Sequence, residues 1–181
     1  MSSPARADAE LGGVASATIG GGASLDSGLS VFGGELRAGP ALTLGDNYSS
    51  FVLIPTLGWS AWRTTDKPAS LRAHTFVGRL DLGYMSFDGH YQGFTVFAAG
   101  QVGRGRATDP ELPELIRGLQ LGATYWPFSG VKYIPGVIGV EFQSRFTYFM
   151  GAWDRDLRVV LNVNLVALFG AGAVALCMQW C

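Results

Sequence analysis

The residues best able to do chemistry here are ions at short, regular intervals. Glu35 and Arg37 stand two apart, as do Arg79 and Asp81, while Glu141 and Arg145 stand four apart, with Arg158 further on. In an extended chain such intervals place the partners on one face. Carboxylates and guanidinium forks gathered in a confined space do one of two things. They line or gate a narrow water path, or they pair into a network that fills the space. Two other groups invite a chemical reading. His74 could serve as a base beside Ser60, Ser70 and Asp66, as a rim site for acyl transfer or proteolysis would require. Nothing in the spacing singles it out, and it reads as an interfacial ring. His90, beside Gly89, is a turn residue. Cys177 and Cys181 would lie ~13 Å apart in an extended segment, too far for a bridge and weak as a metal pair. The chain carries no GxSxG, HExxH, P-loop or CxxC motif. We therefore expect no catalytic residues, no metal and no cofactor.

The elements that position these ions are strands. In VIGVEFQSRFTYFMG, Ile138, Val140, Phe142, Phe146 and Tyr148 alternate with Glu141, Gln143, Arg145 and Thr147. A period of two means a strand with one apolar and one ionic face. The pattern recurs, and we read eight strands: 11–23, 30–44, 50–63, 71–86, 91–104, 115–127, 137–150, and one from near Leu157 toward Trp180. Turn signals separate them at Asp26-Ser27-Gly28, Gly45-Asp46-Asn47, Asp66-Lys67-Pro68, Asp88-Gly89, Asp109-Pro110, Ser129-Gly130 and Asp154-Arg155-Asp156. A change of parity between Val163 and Val174 asks for a bulge or kink near Phe169–Gly172. Such strands are longer than the globular norm and suit tilted membrane strands. An even number of them joined by short turns makes the chain all-β, an eight-stranded antiparallel up-and-down transmembrane β-barrel.

Alternation alone does not say which face looks out. Three features favour apolar side chains outward. Lys67 and Lys132 are the only lysines, whereas a soluble β surface uses lysine to protect its edges. The ionic face nearly neutralises itself, with Glu35, Asp81 and Glu141 against Arg37, Arg79, Arg145 and Arg158. Aromatics gather at strand ends, with Tyr84, Tyr91, Tyr125 and Trp126 near the rim of the termini and Trp59, Trp62, Tyr148 and Trp153 near the other, as interfacial girdles do. The formal net charge of -1 argues against a nucleic-acid surface. The bore of eight strands barely holds side chains, so the ions read as a filling network rather than a conduit.

With this architecture the chain resembles the small eight-stranded outer-membrane barrels of the OmpA, OmpX and OmpW type, over about Leu11 to Trp180. The resemblance implies a bacterial outer-membrane location, a lipid bilayer as surroundings and the outer-membrane assembly machinery as a partner. It also implies that Val174, Leu176, Met178 and Trp180 form the C-terminal assembly signal, although the last residue is Cys181 rather than an aromatic. Residues 1–10 read as a residual leader or flexible N-terminus, with a signal-peptidase-like Ala5-Arg6-Ala7 before Asp8. Residues 11–181 read as one transmembrane barrel. The expected role is structural or interactive, possible partners being other envelope proteins. The alternatives are a narrow pore for small or hydrophobic solutes, an outer-membrane enzyme, or a soluble lipocalin-like binder.

Overall fold

The structure, a computed structural model, describes residues 8–45, 49–64, 71–86, 92–107, 113–127, 136–149 and 151–169. Eight strands follow one another: β1 (Asp8–Ser24), β2 (Ser30–Gly45), β3 (Ser49–Thr64), β4 (Leu71–Ser86), β5 (Gln92–Ala107), β6 (Pro113–Trp126), β7 (Ile138–Phe149) and β8 (Ala152–Asn164). Each pairs antiparallel with its neighbours in sequence, and β8 returns to β1 from Ser16↔Asn164 to Ser24↔Asp156 to close the barrel. The architecture is all-β, antiparallel and up-and-down.

Strand ends are set by local chemistry. At the β1–β2 turn, Gly28 adopts φ 70° and donates its N–H to the Ser24 carbonyl. That turn is stitched to β8. Leu25 N donates to the Arg155 carbonyl, Arg155 N donates to Asp26 Oδ2, and Ser24 Oγ donates to Asp154 Oδ1. These bonds hold Asp154-Arg155-Asp156 inside β8, where the sequence suggested a turn. The reversal comes earlier, at Gly151, whose φ of 79° suits glycine.

The last strand also ends sooner than expected. Asn164 accepts the Ala167 N–H on its side-chain oxygen, as an N-cap does, and residues 165–169 form one helical turn. A continuous strand toward Trp180 is thereby excluded at Asn164. At the opposite end of the chain β1 begins at Asp8 and pairs Asp8–Glu10 with Thr43–Gly45, so three residues read as leader belong to the wall.

The β2–β3 ladder has one interruption, between Ala38↔Leu57 and Leu42↔Leu53. Its register places Pro40 opposite Pro55 there, so neither strand has an N–H to offer at that pair.

Burial is inverted relative to a water-soluble fold. Glu35, Arg37, Arg79, Asp81, Glu141, Arg145, Asp156 and Arg158 are all buried. Large apolar side chains are exposed on every strand, among them Leu11 at 78%, Leu57 at 76% and Phe76 at 71%. The interior is layered. Val14, Ala41, Val52, Ile54 and Met85 cluster toward the chain-terminal end. Val31, Trp62, Ala73 and Ile116 cluster toward the other. Between them lie the ions.

Candidate functional site

Strand parity delivers the ions to the bore, and a fixed register brings them together. Glu141 on β7 is the centre. Arg79 on β4 grips it with both terminal nitrogens, Nη1 to Oε1 at 2.7 Å and Nη2 to Oε2 at 3.0 Å. The same guanidinium holds Asp81, through Nε to Oδ2 at 2.8 Å and through Nη2 to Oδ1. Glu141 Oε2 also accepts from Thr124 Oγ1 at 2.9 Å, Asn162 Nδ2 at 3.0 Å and Arg37 Nη2 at 3.4 Å. Gln143 Nε2 donates to Oε1. Arg37 bonds Glu35 at 3.3 Å as well. Glu141 is fully buried. A carboxylate so withdrawn from water requires this density of donors.

Arg79 has a further support. Its guanidinium carbon lies 3.3 Å from the Phe97 ring centroid. Phe97 lies across Gly122, its cross-strand partner. A Cβ on Gly122 would collide with the Phe97 ring and the Phe142 carbonyl. The missing side chain lets the ring lie flat against the wall.

A second cluster centres on Asp156. Arg145 donates to its Oδ2 from Nε at 3.0 Å and from Nη2 at 2.7 Å. Arg158 Nε donates to Oδ1 at 2.6 Å. Trp62 covers the pair, with Arg145 3.8 Å and Arg158 5.5 Å from a ring centroid. Arg145 Nη1 has no hydrogen-bond partner among the described residues. The first cluster thus joins three carboxylates to two arginines, and the second joins one to two. Together the two clusters hold four of each sign.

The seven ions expected inside all line the bore. The pairing expected between Glu141 and Arg145 does not form, because Glu141 faces Arg79 and Arg37 while Arg145 faces Asp156. Asp156, which the sequence places in a turn, lies in β8 and joins them as an eighth ion.

Two expected girdle residues need correction. Trp62 and Trp126 are buried in the bore. The reason is elementary: Trp59 and Trp62 are three apart and Tyr125 and Trp126 adjacent, so each pair must straddle the wall. Trp59, Tyr84, Tyr125 and Trp153 do face outward and are exposed, and Tyr148 is half-buried on the outward parity beside Trp153, with ring centroids 5.3 Å apart. Tyr91, both cysteines, and Val174, Leu176, Met178 and Trp180 lie outside the described residues.

The His74–Ser60 pairing also fails. Ser60 is buried in the bore, whereas His74 is exposed outside and stacks on Trp59, centroids 5.3 Å apart. The wall separates any such base from that hydroxyl.

Packing leaves little free space at the ions. A cavity among Thr18, Glu35, Ser60, Gln120, Gln143 and Arg158 has about 10 Å³ of room for water, about enough for a single molecule. The arrangement is chemically that of a cross-brace: fixed charges satisfied by one another. The chain matches no protein-family model and no curated protein.

Proposed function

We propose that this chain is an integral outer-membrane barrel of a bacterium, with a bore closed by side chains and a structural or interaction role in the cell envelope. One observation carries the proposal: ions are buried and large apolar side chains exposed around the whole circumference. Soluble monomers seldom expose contiguous apolar patches beyond a few hundred Å², and a closed sheet meets the bilayer's demand that every backbone group be paired. Strands of 12 to 17 residues exceed the ~9–11 needed to span hydrocarbon. Outward Trp59, Tyr84, Tyr125 and Trp153 suit the two interfaces.

In this reading the ion clusters are not catalytic. They hold strands that are far apart in sequence, as Arg79 on β4 holds Glu141 on β7, and they close the water path. The partners are the lipid bilayer, the assembly machinery and a further envelope protein meeting the rim or wall.

The test has two parts. Purified chain should require detergent and should migrate differently on gels before and after boiling. Reconstituted into planar bilayers, it should pass no steady current. Solubility without detergent would refute the membrane reading, and stable open-channel steps would refute the closed bore.

A further inference from the structure

The charges on the outer wall do not follow the bore's rule. Arg63, Arg72, Arg104, Arg106 and Arg117 point outward and are exposed. These five lie on the adjacent strands β3 to β6, toward the end away from the chain termini, and Arg155 stands outward at the same end on β8. Register puts three of them side by side: Arg63 is paired with Arg72, and Arg72 with Arg106. Arg104 lies opposite His74. Like charges directly opposite one another destabilise a sheet. Yet the strand acids, such as Glu35, Asp81, Glu114, Glu141 and Asp156, take the inward parity. Among the described residues no wall arginine forms an ion pair, although every arginine of the bore does. The outward face of the lower half carries no charge among the residues whose burial is described.

Apolar grooves lie directly beneath this arc. One, of about 500 Å³, runs over Gly34 and Ala61 between Ile19 and Phe32, with Arg63 and Arg72 at its edge. Another, of about 520 Å³, lies over Gly78 and Gly100 beside Phe76 and Leu119, with Arg117 at its edge. Small residues make the floors and large ones the sides. A ligand that satisfies both features has an anionic head with several acceptor oxygens and an alkyl tail.

We propose that the arc of Arg63, Arg72 and Arg106, with Arg104 and Arg117 beside it, binds the phosphate of an acylated membrane lipid whose tail lies in these grooves. The inference rests on the membrane reading above. The guanidinium fork suits phosphate geometry. A phosphate inserted into the row turns mutual repulsion into shared attraction. The acyl chain fixes which source of phosphate is meant, a lipid of the leaflet at that end rather than a free anion.

The experiment uses the full chain folded in zwitterionic detergent and read by native mass spectrometry. The probes are didecanoyl phosphatidylglycerol, didecanoyl phosphatidylcholine of the same tails, and inorganic phosphate. Phosphatidylglycerol should be retained at concentrations roughly ten-fold below those needed for phosphatidylcholine, a factor equal to about 1.4 kcal/mol. The preference should vanish in the triple variant Arg63→Gln, Arg72→Gln, Arg106→Gln and survive, weakened by loss of the fork, in the corresponding triple lysine variant. The single variant Arg72→Gln, at the centre of the row, should weaken it several-fold and serves if the triple variant does not fold. Equal retention of the two lipids by the native chain would overturn the proposal. So would a preference unchanged in a folded glutamine variant, or displacement of phosphatidylglycerol by equimolar inorganic phosphate. Heat-modifiable migration is followed in the same samples. Its loss in the native chain would sink the membrane reading, whereas a heat-modifiable barrel without lipid preference would sink this inference alone.

Discussion

The bore and the outer wall are two faces of the same eight strands, and they treat arginine in opposite ways. Inside, four arginines meet four carboxylates, and each guanidinium is anchored by neighbours such as Asp81, Glu141 or Asp156. Outside, Arg63, Arg72 and Arg106 stand in a row with no acid among them. Arginine therefore has two tasks here. In the bore its counter-ion is supplied by the chain and fixes the fold. On the wall no ion-pair partner stands among the described residues, and our proposal gives that place to the phosphate of a lipid.

Substitutions can break or sharpen this contrast. The largest loss should follow Glu141→Gln, which strips Arg79 and Arg37 of a buried partner. We expect about 3–5 kcal/mol less stability, read as a lower urea midpoint of the folded barrel in vesicles. Pairing it with Arg37→Gln should deepen the loss, because buried Glu35 then loses its ion-pair partner as well. Asp156→Asn should cost a similar amount, about 3–5 kcal/mol, because Arg145 and Arg158 both lose the carboxylate they share and keep only the cover of Trp62. Gly122→Ala should cost about 1–3 kcal/mol by forcing Phe97 off the wall and disturbing Arg79, and unfolding of that variant checks the ring's support role. Arg72→Gln should change stability by less than about 0.5 kcal/mol while weakening lipid preference. If Arg72→Gln destabilised the barrel as much as Asp156→Asn, the division between bore and wall would fail. Salt sharpens it further. Exposed charges separated by more than a Debye length of about 8 Å at physiological ionic strength are largely screened, and buried pairs much less so. Lipid preference should therefore fall with added salt while the urea midpoint holds.

Much of this was legible in the sequence, because period-two alternation is a property of the strand itself. Leu80 and Leu82 against Arg79 and Asp81 state the two faces of β4 without any structure. The facing partner, however, is a matter of register. Arg79 and Glu141 are 62 residues apart, and no local spacing reveals that they meet. The inward placement of Trp62 and Trp126 has another origin. Position near a strand end speaks only of height, while parity, counted from Trp59 and Tyr125, places both rings inward. The cross-strand glycines that make room for large inward rings, Gly33 for Trp62 and Gly139 beside Trp126, are visible only once strands are paired. Asp156 was missed because Asp-Arg-Asp reads as a turn by composition, whereas the Ser24–Asp154 and Asp26–Arg155 bonds from a distant turn hold it in β8. The wall arginines stand out poorly in the sequence although their parity is plain. Arg72 alternates with Ala73, and Arg104 and Arg106 alternate with glycines, so the usual contrast of charged with apolar neighbours is weak there.

The most direct test of the inverted barrel is a spin-label scan along β5 in reconstituted vesicles, with Cys177 and Cys181 replaced by serine. Labels placed singly from Phe94 to Gly100 are exposed to oxygen and to a water-soluble nickel chelate. In an inverted barrel oxygen reaches Phe94, Val96, Ala98 and Gly100 while the chelate is excluded from them, with the odd-numbered sites shielded from both. Collision of the chelate with the even-numbered sites at rates matching or exceeding oxygen would place this wall in water and contradict the account.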